Sequence, residues 1–528
     1  MLHKKTMIHI ALGLAAFFTS AGLSHASTNE TPRLISADLH QTNGPLNTMF
    51  KFCVGAGRAN EGLRADWQRQ LSIAHRECGF QYIRMHGLFT DDMGVYRDYG
   101  KPEYNWQYID ALFDFLHSIG MKPFVELGFM PGGLASGSKT IFWWKGNVTP
   151  PRDMQKWANF IRAFTLHVQE RYGHDEVKTW YFEVWNEPNL DGFWAGTQQQ
   201  YFDLYAASAR AIKSVSPDFK VGGPATAGCG WISEFIHFCD TNQAPVDFVS
   251  THTYGVESGY LDETATLGTA LSRNPDSIFG DAKRVRQQIA DSARPNLELH
   301  FTEWSSSYTP ADPMHDSYHS AAYIIDKLKN CGDAPQSMSY WTFTDIFEEP
   351  GPRWEAFHGG FGLMNQQDIK KPAYYAYQFL NRLGATELKS NDGSSWICTD
   401  NSDGVQALVW DFTNTFPKSN MINQVFYKRD LPSQPKDKVT LNLSHVPKGK
   451  YTVETYKVGY RVNDAYATYR DLGAPNQLTK AQVAEIKSKN SGVPLETRTV
   501  KIGRDGEFAQ QFDLRENDAV LITLKPQK

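Results

Sequence analysis

The chain has 528 residues, with 53 Lys and Arg against 58 Asp and Glu and a formal charge of −5; lacking a long basic run, it offers little to hold a nucleic acid. Its length exceeds one ordinary hydrophobic core, so roughly two to three domains are expected. Cys53, Cys78, Cys229, Cys239, Cys331 and Cys398 form no C-x-x-C pair, and H-E-x-x-H, G-x-G-x-x-G and a P-loop are missing, so no metal or cofactor is expected.

At the N-terminus, Lys4 and Lys5 precede an apolar stretch over 8–18 and then Ser24-His25-Ala26, the pattern of a secretory signal peptide. The stretch is too short to span a bilayer, so no membrane partner is expected. Cleavage near Ala26 would export the chain to periplasm or medium. It removes two lysines and no acids, taking the charge from −5 to −7. In an exported chain some cysteines could pair; buried free thiols are an equal reading. Residues 27–49 carry "PRLISADL", a stray strand expected to join a later β-sandwich.

From 50 to 384, β-like runs alternate with helical ones. The strand candidates are "FKFCVGAG" (50–57), "QYIRMHGL" (81–88), "KPFVELGF" (122–129), "TWYFEVWNEP" (179–188), "KVGGPAT" (220–226), "FVSTHTY" (248–254), "ELHFTEW" (298–304) and "SMSYWTFTD" (337–345). Between 154 and 172, Trp157, Phe160, Ile161, Phe164 and Val168 recur at helical spacing. A last helix is expected near 373–383. Eight such alternations predict an α/β chain closed as a (β/α)8 TIM barrel. Beyond 385 the texture turns to alternating strands, "GVQALVWDF", "KVTLNLSHV", "KYTVETYKV" and "AVLITL", with a short helix near 478–486. This predicts an accessory β-sandwich over 385–528.

In such barrels the site lies at the carboxyl ends of the strands. Those ends are polar here: His86, Asn186, Glu187, His252, Tyr254, Glu303 and, beside Trp341, Asp345. Glu187 closes the fourth strand and Glu303 the seventh, so both reach over one axial pocket. A carboxylate pair is what acetal hydrolysis needs: a proton for the leaving oxygen, and a negative group opposite it that attacks carbon or activates water. Spacing alone does not say which carboxylate plays which part. Arg84 could pair with Glu303 and keep it ionised, whereas Glu126 and Asp345 read as structural.

"FCVGAGR", "YIRMHGL", "GNVTPPRD", "FEVWNEPNL", "STHTYG", "FTEWSSSY" and "FHGGFGLM", in this order across nearly all of the barrel, resemble glycoside hydrolase family 39, the β-xylosidase and α-L-iduronidase family. The resemblance implies a retaining mechanism with Glu187 as acid/base and Glu303 as nucleophile, their carboxyls about 5–5.5 Å apart. Asn186 would bind the sugar's 2-hydroxyl. His86, His252 and Tyr254 would bind the glycone or orient the carboxylates, over a Trp341 floor. Glu348 and Glu349 would grip the outer hydroxyls of a chain end, and Phe142, in "TIFWWKG", would form an aromatic wall. The implied activity is an exo-acting β-xylosidase on xylo-oligosaccharides; an oligomer is compatible with it. The alternatives are an α-L-arabinosidase, a β-glucosidase, a uronidase that uses Arg353 for a sugar carboxylate, or a carbohydrate-binding protein without catalysis. A pure binder needs no acid facing a nucleophile.

Overall fold

In the computed structural model, which describes residues 32–259, 268–416 and 421–527, all eight strand candidates form and close into one barrel. They are β1 (Cys53–Arg58), β2 (Tyr82–His86), β3 (Lys122–Leu127), β4 (Tyr181–Val184), β5 (Lys220–Thr226), β6 (Phe248–Tyr254), β7 (Glu298–Ser305) and β8 (Ser337–Tyr340), each parallel to its neighbours, with β8 paired to β1. The segment read as an export signal, 1–26, lies outside the described residues. All six cysteines are buried free thiols. No helix among the described residues is long and apolar enough to cross a membrane.

Eight long helices alternate with these strands: α1 (Ala65–Cys78), α2 (Gln107–Ser118), α3 (Met154–Tyr172), α4 (Gln198–Lys213), α5 (Ile232–Thr241), α6 (Phe279–Ala290), α7 (His319–Cys331) and α8 (Pro372–Asn381). α3 shows why the pattern was readable. It buries the Trp157, Phe160, Ile161, Phe164 and Val168 face, begins where the Asp153 carboxylate accepts from the Gln155 and Lys156 N–H groups, and stops at Gly173. Each such side chain taken from water contributes about 1.5–3 kcal/mol.

The barrel interior is layered, because side chains two apart on a strand share a face. At the amino-terminal end Tyr82, Phe124, Tyr181 and Phe248 pack with Cys53 into an aromatic plug, Phe124 stacked on Tyr181 at 5.0 Å and His300 against the same ring at 4.9 Å. One layer up stand Arg84, Glu126 and Glu183, all buried. The strand ends above carry His86, Glu187, His252 and Glu303. The plug closes the floor beneath the polar layer.

The C-terminal region builds a sheet of nine strands, in the order Glu496–Ile502, Gly449–Val458, Ala519–Pro526, Val405–Trp410, Ser395–Thr399, Thr386–Ser390, Arg33–Pro45, Val439–Ser444 and Phe508–Phe512. The N-terminal strand runs antiparallel to Thr386–Ser390 and parallel to Val439–Ser444. Laid flat, the outermost strands would stand roughly 38 Å apart at about 4.8 Å per strand. The short link over 503–507 spans at most roughly 20 Å. The sheet therefore curls over, and one core holds Ile502 from one edge strand and Phe508 from the other. Four of these strands, and the helix Ala465–Asp471, escape a reading of the sequence. They are short, and Glu496–Ile502 ("ETRTVKI") is largely polar. The helix expected near 478–486 forms as Lys480–Lys489 behind a Thr479–Gln482 capping box.

Gly222 on β5 packs against β6 so closely that a Cβ would meet the Phe248 carbonyl and ring. That carbonyl belongs to the neighbouring strand and cannot swing aside. Gly222→Ala is expected to cost about 1–3 kcal/mol, seen as a lower thermal midpoint at fixed scan rate; an unchanged midpoint would contradict the packing.

Candidate active site

The aromatic run of β4 ends in a sharp turn. Trp185 (φ 73°) and Glu187 (φ 44°) both adopt left-handed backbone, as does Ala225 (φ 53°) on the neighbouring strand, and the Glu187 N–H donates to the Ala225 carbonyl at 2.8 Å. Pro188 has no N–H with which to continue the ladder. This conformation is costly for residues other than glycine, and here it turns the carboxylate inward, where Glu187 is only 6 % exposed. A register shift after the Thr251–Phe301 pair then sets His252 opposite Glu303. Bulges at barrel rims re-aim side chains in this way.

Glu187, His252 and Glu303 converge: one carboxylate oxygen of each acid and a ring nitrogen of the histidine lie within 4.8 Å of one another. His252 Nδ1 is 2.8 Å from Glu187 Oε1 and 3.5 Å from Glu303 Oε2. Tyr254 donates its hydroxyl to Glu303 Oε2 at 2.6 Å. The other oxygen, Oε1, accepts from Arg84 Nη1 at 2.7 Å. Arg84, fully buried, also donates to Glu183 at 2.5 Å and to Asn186 Oδ1 at 2.8 Å, and stands 3.0 Å from Glu126. His86 Nδ1 lies 2.6 Å from Glu126, and its Nε2 faces Glu303 at 3.5 Å and Glu349 at 3.6 Å.

One buried guanidinium thus faces several buried carboxyl groups, and they cannot all be charged. Burial pushes Glu187 well above the ordinary carboxylate range, and the charge of Glu303 pushes it further. Burial raises Glu303 as well, though Arg84 and the Tyr254 hydrogen bond hold it down against that push. Of the two, Glu187 therefore holds a proton more readily and Glu303 carries the charge more readily. Burial lifts Glu126 to about 8, against the pull of Arg84. His86 is lowered to about 3 by burial, and His252 falls well below its usual value for the same reason, with Arg84 adding to it. Both imidazoles are neutral. A proton on Glu126 faces His86 Nδ1, which leaves Nε2–H as the donor toward Glu303 and Glu349.

A family model described as Glycosyl hydrolases family 39 matches residues 33–506. The chain belongs to glycoside hydrolase family 39. It is 38% identical over 486 residues to a β-xylosidase of Geobacillus stearothermophilus, covering 90% of this chain and 92% of that one. Among solved structures, the family 39 enzyme from Xanthomonas axonopodis pv. citri superposes with a TM-score of 0.92 at 44% identity, covering 96% and 99% of the two chains. A monomeric β-xylosidase from Caulobacter crescentus CB15 gives 0.90 at 43%, covering 94% and 100%.

In this hydrolase the remaining site candidates fall into place unevenly. Trp341 is buried beneath the site, its ring 4.7 Å from that of His86. Gly55 on β1 makes room for it, since a Cβ there would strike the indole. Phe142 stands 6.1 Å from His86 and 5.2 Å from Trp144, within an aromatic wall that includes Phe129. The Glu348 and Glu349 side chains part. Glu349 turns toward His86, whereas Glu348 spends one oxygen on Arg58 (2.6 Å) and the other on Arg64 (3.0 Å), outside the catalytic cluster. Arg353 donates to the Pro310 carbonyl at 3.3 Å. Asp345 pairs with buried Lys371 at 2.6 Å.

The structure adds Glu126 to the site; it had read as structural. Glu183, which binds Arg84 and accepts from Thr302 at 2.8 Å, was not singled out at all. Their signal was a charged residue at an inward strand position, where barrels usually hold bulky apolar groups. Glu126 titrates near 4.5 when unfolded and near about 8 when folded, so between those values the folded chain binds more protons. Stability then falls as pH rises through that window. Glu126→Gln cannot titrate, so its thermal midpoint should gain on that of the wild type from pH 5 to pH 8. A constant gap would sink the assignment.

Proposed function

We propose that the chain is a retaining, exo-acting β-xylosidase that releases xylose from the non-reducing end of xylo-oligosaccharides. The observation that carries this reading is the distance between the carboxylates. One oxygen of Glu187 and one of Glu303 lie within 4.8 Å of each other, in keeping with the separation of about 5–5.5 Å in retaining enzymes and short of the about 6.5–9.5 Å with which inverting enzymes make room for a water beside the sugar. The β-xylosidases of Geobacillus stearothermophilus and Caulobacter crescentus, at 38% and 43% identity, support xylose as the glycone.

In the first step Glu187 gives its proton to the glycosidic oxygen while Glu303 attacks the anomeric carbon. The C–O bond breaks, the alcohol departs, and a xylosyl ester forms on Glu303. Glu187, now ionised, takes a proton from water, which attacks the same carbon and returns Glu303 as carboxylate. Arg84 and Tyr254 hold the nucleophile's oxygens apart and charged. Asn186 has its amide oxygen committed to Arg84, so its NH2 is the donor left for the 2-hydroxyl. Trp341 floors the glycone and Glu349, with His86, meets its outer hydroxyls. We also propose export through the N-terminal segment.

Glu303→Ala should abolish turnover, and azide should restore it as the inverted glycosyl azide. Glu187→Ala should lose roughly 10²–10⁴-fold on natural xylosides and far less on an aryl xyloside whose leaving group needs little protonation. Normal rates in both variants would refute the roles. On a panel of aryl glycosides the β-xyloside should be cleaved fastest; a preferred arabinoside, glucoside or uronide would redirect the reading.

The pH profile offers a second check. The Tyr254 hydrogen bond lowers the pKa of Glu303, so Tyr254→Phe should raise it and move the acid limb of kcat/KM to higher pH. An acid limb that stays put would mean another group controls it.

A further inference from the structure

The two sides of the catalytic pair differ in chemistry. Toward the glycone stand Arg84, His86, Asn186 and Glu349, rich in hydrogen-bonding groups. On the other side, next to Glu187, a cavity of about 410 Å³ opens among Asn189, Leu190, Ala227, Val256, Tyr254 and Tyr308. Since Glu187 is the proton donor, this is where the leaving group lies.

The polar side chains of that cavity are largely spent. Asn189 donates Nδ2 to the Ala227 carbonyl at 2.9 Å and accepts the Ala227 N–H on Oδ1 at 2.9 Å, so both ends of its amide are bound to backbone. Tyr254 gives its hydroxyl to Glu303. Glu187 is held by His252. Among the described residues, what remains facing the cavity is Gly228, the side chains of Leu190, Ala227 and Val256, each partly exposed, and Tyr308, whose ring is braced edge-on against Tyr254 at 6.0 Å and whose hydroxyl is a single polar group on this wall. A second sugar placed here would bring several hydroxyls to a wall with few partners, and unpaired polar groups cost affinity. An aryl or alkyl group would lose only water.

We propose that the leaving-group pocket selects β-xylosides with an apolar aglycone, an aromatic ring or a medium alkyl chain, over those in which the leaving group is another xylose. The proposal rests on the β-xylosidase reading and specifies its substrate class. Leu190 and Tyr308 set the preference by contact area, while the chemistry at Glu187 is unchanged.

The test measures kcat/KM for methyl, butyl, hexyl and benzyl β-xylosides and for xylobiose, each normalised to β-xylosyl fluoride, whose leaving group is too small to fill the pocket. The alkyl series holds leaving-group chemistry nearly constant. The expected result is a rise of roughly two- to fourfold per added methylene until the pocket is filled, with hexyl and benzyl xylosides ahead of methyl. In Tyr308→Ala and Leu190→Ala the benzyl-to-xylobiose ratio should fall about tenfold. A flat alkyl series, or xylobiose preferred over hexyl xyloside with the fluoride still cleaved, would overturn the pocket assignment alone. Failure to cleave the fluoride would overturn the β-xylosidase reading and the proposal with it.

Discussion

A guanidinium sealed inside a barrel must be matched on every side, and the site is organised around that requirement at Arg84. Taking such a charge out of water costs several kcal/mol, and only well-placed acceptors offset it. Here the acceptors come from four other strand positions: Glu126 on β3, Glu183 on β4, Asn186 just beyond β4, and Glu303 on β7. Each is fixed because moving it would leave the cation unpaired. The aromatic plug beneath, with Phe124 stacked on Tyr181, shuts off the barrel floor and lends these contacts the strength of a low-dielectric interior. As a source of stability the arrangement is weak; as a device for holding the Glu303 carboxylate in one place it is strong.

The same cation divides the labour between two chemically identical acids. Glu303 touches Arg84 and accepts from Tyr254, so its charge is favoured; Glu187 touches only neutral His252 and faces the charge of Glu303. The acid and nucleophile roles proposed for the pair thus rest on surroundings and not on any property of the residues themselves. Glu126 extends this logic one contact outward. By keeping a proton toward His86 Nδ1 it sets which imidazole nitrogen donates, and so places a donor between Glu303 and Glu349.

Much of this was legible in the sequence because barrel strands are short apolar runs with polar ends. All eight were located, and the pair Glu187 and Glu303 followed from strand position alone. Arg84 could be guessed as a partner of Glu303. The fuller network could not, since Glu126 and Glu183 look like misplaced charges until a guanidinium is known to sit between them. Adjacent loop residues were harder still. Glu348 and Glu349 are indistinguishable as letters, and only the fold shows that the first turns to Arg58 and Arg64, far away in sequence, and the second toward His86. The curled sheet was half visible, because its polar edge strand Glu496–Ile502 carries little apolar alternation.

That sheet and its inserted helices also bear on the site. The loops after β6, β7 and β8 are long, and long loops are costly to hold in one shape. The C-terminal region supplies the anchors. Asn423 donates to Asp312 and accepts from the Leu271 N–H, Gln424 bonds Thr269, and Tyr318 reaches the Leu431 carbonyl. Ala356 and Phe357, in the loop after β8, share an apolar cluster with Ala465, Tyr469 and Ile486 of the inserted helices. These loops carry Tyr308, Trp341 and Glu349, which flank the catalytic pair on both its sides. The C-terminal region thus braces the walls beside the carboxylates, which the barrel strands, ending at those carboxylates, cannot provide.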